Sequence, residues 1–419
     1  MTASTAPARP ESEAAATSPW VERLRRVGRA LALPAGSVVL AFLIGAVLIA
    51  LAGGDPLASY EALACGGFGI SCFGGETPAL QISNTIEFIT PLLMAGLAVG
   101  VAFRAGLFNI GVQGQLILGA IFAAIVGLRL ASLPGLILIP LLMLAGVVGG
   151  ALWAGIVGVL KAFTGAHEVV TTIMLNYVAY NLLNYLLING PMQAPNSSQI
   201  SLPVGQNAQL PTLIPQEGLF FGQPGGAYHA SIGIFIALAA AGVYAFLMRR
   251  TALGYEIRAV GQSQRAARYA GISVRRTIIV TMLISGAFAG LTGGLMIAGG
   301  SLHYLYADLK FDTTGFDAIA VSLLGQNVAI GVVLSAILFG ALHAGGLVMQ
   351  SDVQISSHIV EILQAVILFS LAANFLRSLK LRLPSLGREP AKPDGMEAAQ
   401  AALQAEVGST AAAEGDGRA

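Results

Sequence analysis

The side chains able to do chemistry here are polar groups set inside long apolar runs. Asn109, Gln113 and Gln115 fall within Phe108-Asn-Ile-Gly-Val-Gln-Gly-Gln115, and Glu168, Thr172, Asn176 and Tyr180 recur every four residues, with Tyr177 beside Asn176. A step of four drifts only about 40° around a helix, so the second set forms a slanted polar stripe. On a helix, Asn109 and Gln113 would also share a face. Amides, hydroxyls and a single acid suit hydrogen bonding to a polar solute along a path through the bundle. The same groups serve equally well as ties between helices. Glu168 has a further option at the end of its span. Hydrolytic chemistry finds no support. His167-Glu168 lacks the second histidine of a zinc-protease helix, no other metal-ligand spacing occurs, and none of the four lysines follows a glycine as a P-loop requires.

A second group of residues is defined by charge. Arg249 to Arg276 holds seven arginines against one acid, Glu256, whereas Leu130 to Met248 contains no Lys or Arg except Lys161. Short basic loops stay in the cytoplasm, so this stretch orients the chain. Between Gly254 and Gly271, Arg258, Gln262, Arg265 and Arg268/Tyr269 follow helical spacing. The pattern predicts a polar surface helix beneath the membrane, either presented to a cytosolic partner or simply an orienting loop. Cys65 and Cys72 lie in a loop placed outside, where they form a disulfide or stand as two free thiols.

Apolar elements must hold these groups. Hydrophobic residues make up 55% of the chain and charged residues 10%. Repeated apolar runs without strict alternation predict an all-α polytopic membrane protein, not a β-barrel. A net charge of +1 gives no argument for a nucleic-acid partner, and none is expected. Residues 1–35 read as a disordered tail followed by an interfacial helix on the inner leaflet. Ten spans are expected at about 36–51, 88–103, 107–128, 133–160, 168–188, 230–248, 277–298, 315–324, 328–349 and 359–376, with both termini cytoplasmic. The eighth is short enough to be a re-entrant half-helix instead. Loops 52–87 and 189–228 lack Lys and Arg and are placed outside, the second as the landing area for an extracytoplasmic partner. Ser285 to Gly294 reads as a small-residue packing face. Residues 381–419 read as a disordered tail.

Four stretches carry a family resemblance: Gly106 to Gln115, Glu168 to Tyr177, Gly254 to Ile272 and Gly315 to Gly325. In this order they resemble the permeases of bacterial ABC importers for nucleosides and simple sugars, across roughly residues 36–380. The resemblance implies a permease domain over that range, in the bacterial cytoplasmic membrane, with residues 249–276 as the loop that docks on a cytoplasmic ABC ATPase. Glu256, Arg258, Arg265, Ala266, Ala267, Arg268 and Gly271 would form that coupling surface. Ala266-Ala267-x-x-x-Gly271 is similar to the EAA coupling signature, although Arg265 stands where the family has Glu. The resemblance further implies no cofactor on this chain, ATP and magnesium used by the ATPase, a second permease subunit, and a lipid-anchored substrate-binding protein. An ion-coupled secondary transporter is the alternative, with Glu168 as its relay.

Overall fold

The computed structural model describes residues 19–378, apart from 71, 73–77, 189, 196, 198, 214–218, 221–222, 225–227, 302 and 311–312. The expected disordered tails therefore lie outside the described residues, save that Pro19 begins the first helix. The described residues up to 371 form one compact unit; of a second, 372–419, only the end of the last helix is described.

Thirteen α-helices are described: α1 (Pro19–Leu51), α2 (Pro56–Phe68), α3 (Pro78–Arg104), α4 (Val112–Arg129), α5 (Gly135–Thr164), α6 (Glu168–Ile188), α7 (Gly233–Arg250), α8 (Ala252–Gln262), α9 (Gln264–Tyr269), α10 (Val274–Gly299), α11 (Thr314–Leu324), α12 (Ala329–Asp352) and α13 (His358–Ser378). Seven are long and apolar enough to cross a membrane: α1 from Pro34, then α3, α4, α5, α7, α10 and α12. α6 has the length, but Asn176, Asn181 and Asn184 dilute its apolar character. The chain is an all-helical, multi-pass membrane protein. α1 continues through Pro34 as one helix, so the interfacial helix expected before the first span is joined to it.

The central helices are α3 and α4, each 72% buried over its most apolar stretch, with α10 and α12 at 67%; α1, α5 and α7 face outward. Close packing here depends on missing side chains. α10 crosses α5 where Gly286 and Gly290 meet Gly146 and Gly150, and Gly290 also meets Gly119 of α4. Backbones in lipid approach this closely only where no Cβ intervenes. The small-residue face from Ser285 to Gly294 therefore does what its spacing suggests.

Two boundaries differ from the sequence reading, and both matter for the site. α3 begins at Pro78 rather than Phe88, because Gln81, Ser83 and Thr85 are buried against the chain itself despite their polarity. Ser83 accepts from the backbone of His229 and Ala230, and Thr85 donates to the Gly67 carbonyl at 2.9 Å. α4 begins at Val112 rather than Leu107, which leaves Asn109 in the connection and off the face of Gln113.

The expected eighth span is too short to cross as a helix. At 11 residues, α11 is about 16 Å long, half of a roughly 30 Å hydrocarbon core. Between α10 and α11 the described residues hold only a single 3₁₀ turn, Ala307–Lys310, and the loop after α6 satisfies part of their backbone. Ser201 and Val204 donate to the carbonyls of Leu305 and His303, and Leu305 donates to Ser201 Oγ at 2.9 Å. The loop expected to lie open outside is thus partly folded into the bundle. Cys65 and Cys72 are joined as a disulfide, closing the end of α2, a helix the sequence reading treated as loop. α2 packs on α12 through Gly66 and Gly67, which meet Gly345 and Ala341.

A methyl group at Gly290 would overlap the Gly146 carbonyl. Gly290→Ala should cost roughly 1–3 kcal/mol, the usual penalty for overpacking, and lower the thermal midpoint of the purified protein. A variant as stable as the parent would show that α5 and α10 separate freely.

Candidate functional site

A helix that starts inside a bundle exposes N–H groups with no partner of their own. α4 and α11 both start this way, and side-chain amides, one local and two from distant positions, answer them. Asn109 Oδ1 accepts from Gly111 N at 3.1 Å, Asn176 Oδ1 from Gly114 N at 2.9 Å, and Gln113 Oε1 from Gly315 N at 2.8 Å. Each amide then uses its NH₂ on another element. Asn176 donates to the Ile110 carbonyl, Gln113 to the Leu309 carbonyl, and Asn109 to Ser285 of α10 at 2.8 Å, which passes a bond on to the Ala98 carbonyl of α3. Asn109 and Gln115 also pair reciprocally at 3.0 Å. All four amides are essentially buried.

The polar stripe therefore divides. Asn176 joins this network, while buried Thr172 donates back to the Glu168 carbonyl at 2.7 Å. Tyr177 points to the exposed side of α6, edge-on to Tyr180. Glu168 sits in the first turn of α6, ion-paired with Lys161 at 2.7 Å, and so pins the α5–α6 turn.

The cavity lies beside this network. It encloses about 430 Å³ between the middle of α3, the end of α10, the segment following it, and the start of α11, with His343 of α12 and Glu361 of α13 closing one side. None of the seven residues singled out from sequence lines it; Asn109, Gln113, Gln115 and Asn176 fix the helix starts near it, and Glu168, Thr172 and Tyr177 do not. Its aromatic surfaces are Phe88, Tyr304 and Tyr306, the tyrosines meeting at 80°. Its polar groups include Glu87, which accepts from Ser301 N at 2.9 Å, along with Thr90, Thr313, His343 and Glu361. The His343 ring stacks on Phe88 at 5.7 Å, and its Nε2 lies 3.1 Å from Asp317 Oδ2, which also accepts from Thr313. Sequence reasoning missed these residues because Glu87 was placed in a loop. The signals were present in an acid beside Phe88 and a lone histidine inside the apolar run of α12.

The arginine-rich segment is two short helices rather than one. Thr251 caps α8 by accepting from Gly254 N at 3.0 Å, and Ser263 breaks the run and caps α9 by accepting from Ala266 N. Arg265, Ala266 and Arg268 are exposed, Tyr269 almost completely, and Gly271 turns the chain at a φ of 80°. Ile257, Val260 and Ala267 face inward. Gly261 lies directly on the backbone of Arg104 and Ala105, and Gly106 lies on Gly261, so α8 is seated on the foot of α3. Glu256 is half-buried, and Arg258 lines a second cavity rather than standing with Arg265 and Arg268.

Residues 81–372 match the family described as branched-chain amino acid transport system / permease component. The chain is 39% identical to a protein of Bacillus subtilis named as a guanosine ABC transporter permease, over 82% of this chain and 94% of that one. It is 34% identical to a nucleoside ABC transporter permease of Lactococcus lactis, over 84% and 93%, and 35% identical to a glucose ABC transporter permease of Haloferax volcanii, over 83% and 89%. The first two organisms each hold a further, more distant match, again named as a guanosine or nucleoside ABC transporter permease. No solved structure matches. With the helical bundle, the cavity at the start of α11 and a seated basic platform, these matches show that the chain belongs to the branched-chain amino acid transport system permease family, as a plasma-membrane permease subunit of an ABC transporter.

Proposed function

We propose that this permease imports nucleosides, and that the cavity at the start of α11 is their station in the membrane. The cavity's lining carries the reading. Phe88, Tyr304 and Tyr306 offer π faces to a base, and Glu87, Glu361 and the threonines accept or donate to ribose hydroxyls. About 430 Å³ falls within the range of small-molecule sites. Relatives named for guanosine and nucleosides support a nucleoside over a simple sugar. The buried amides Asn109, Gln113, Gln115 and Asn176 frame the path by fixing the helix starts beside it.

In this reading α8 and α9 face the cytoplasm, as do both termini, and the cavity lies toward the opposite side. Arg265, Ala266 and Arg268 meet a groove on an ABC ATPase, which supplies the work from ATP and magnesium. A second permease subunit completes the pathway, in keeping with the two matching permeases in each of two organisms. A lipid-anchored binding protein delivers the nucleoside at the far face. Because α8 rests on α3 through Gly261 and Gly106, movement of the docked helices reaches α3 and, through Asn109, Ser285 and the Ala98 carbonyl, α10 as well. Alternating access then follows from rigid rocking. The relay expected for an ion-coupled mechanism, Glu168, is held by Lys161 at the start of its helix, away from the cavity.

In proteoliposomes with the partner subunits, Tyr304→Ala should slow guanosine uptake roughly tenfold, the loss of one stacking face. Wild-type rates would remove the cavity from the path. A side chain at Gly261 would strike the Arg104 carbonyl. Gly261→Val should therefore leave membrane insertion intact and abolish nucleoside-stimulated ATP hydrolysis. Stimulation at the parental level would mean that α8 transmits no force through this contact.

A further inference from the structure

A second cavity, of about 240 Å³, opens where α3, α7, α8 and the α11–α12 turn meet, and Arg104, Arg249 and Arg258 all line it. Its other walls are Tyr244, Ala245, Met248, Asn327, Val328 and Ala329, so no carboxylate stands in it. Three guanidinium groups around one space without an acid are a poor arrangement unless an anion enters. Among the described residues, none of the three forms an ion pair. Arg104 is fixed, donating from Nε to the Asn327 carbonyl at 2.9 Å. Tyr244 donates to the same carbonyl at 2.7 Å. Gln326 and Asn327, both with φ near 53°, form the strained turn that presents this oxygen. The donors of Arg249 and Arg258 remain available to a ligand. The space is several times the roughly 30 Å³ share of a water molecule.

The neighbourhood favours a ligand that is part anion and part hydrocarbon. Val243, Phe246 and Ile330, each next in sequence to a lining residue, are 59%, 63% and 68% exposed. The cavity thus sits where the apolar outer surface of α7 and α12 reaches the arginine-rich end of the bundle. We propose that it binds the phosphate of an anionic phospholipid from the leaflet on the α8 side, with Arg104, Arg249 and Arg258 as donors and the acyl chains lying along Val243, Phe246 and Ile330. Arginine matches phosphate oxygens in a two-pronged geometry that lysine cannot reproduce, and basic pockets between membrane helices take up such head groups. Because the site joins α8 to the α11–α12 turn, the lipid would brace the coupling platform against that turn.

The test uses the full-length purified protein in nanodiscs of phosphatidylcholine with and without phosphatidylglycerol, read by native mass spectrometry for retained lipid and by thermal midpoint. The wild type should retain phosphatidylglycerol in preference to phosphatidylcholine and melt higher in its presence. Arg249→Gln with Arg258→Gln should weaken that preference roughly fivefold per arginine. Arg249→Lys with Arg258→Lys, which keeps the charge, should recover part of it, and Arg276→Gln, outside the cavity, should change nothing. Absence of any wild-type preference would overturn the proposal whatever the variants do. So would equal stabilisation by inorganic phosphate alone, which would make the ligand a free anion. A double glutamine variant that keeps its lipid and loses only ATPase affinity would overturn it too, assigning the arginines to a protein partner.

Discussion

Backbone N–H groups at a helix start cannot be left bare within an apolar bundle, where each costs about 1–3 kcal/mol. α4 and α11 both begin inside the bundle, and three side-chain amides cap them: Asn109 from just before α4, Asn176 from α6 and Gln113 from α4 itself. The rest of the structure depends on this solution. Because each amide has two ends, the residue that caps one helix also ties it to another, and α3, α4, α6, α10 and α11 become a single hydrogen-bonded frame. A cavity can then exist at a break in the bundle without the break collapsing.

In the proposed mechanism the frame moves as a piece, and the glycine contacts supply what hydrogen bonds alone would not. Gly290 locks α10 to α4 and α5, and Gly261 presses α8 onto the foot of α3. Steric contact of backbone on backbone is stiff, so displacement of α8 is not absorbed by side-chain rearrangement. The exposed arginines of α9 stand free of the bundle, while the buried Ala267 holds that helix to it. The basic cavity beneath α7 lies at the same junction, where a bound anion would stiffen it further.

Much of this was legible in the sequence. Apolar runs announced the helical bundle, the run of arginines marked the platform, and the polar groups of α4 and α6 marked the frame. Their work was harder to read, because an amide on a helix face looks the same whether it contacts solute or caps a neighbour. The cavity itself was obscured for a different reason. Gln81, Ser83 and Thr85 resemble loop residues, yet they are buried by partners far along the chain, which extends α3 and carries Glu87 inside a helix. The break at Ser263 was equally hidden, since the arginine spacing runs across it unchanged and only the serine cap on Ala266 N reveals it. Short helices such as α2 owe their existence to packing, here of its glycines on α12, and not to a periodic signal of their own.

The central claim is that platform and frame move together while access to the cavity changes. Cys65 and Cys72 are bridged, so labels can be introduced without competing thiols. Pulsed electron resonance on the complete transporter, with and without a non-hydrolysable ATP analogue, would measure two distances. One lies between labels at Gln262 and Phe108, across the seat of α8 on α3; the other lies between Ser301 and Glu361, at the cavity wall. Coupled movement leaves the first distance unchanged and shifts the second. A sliding α8 over a static cavity wall would contradict it.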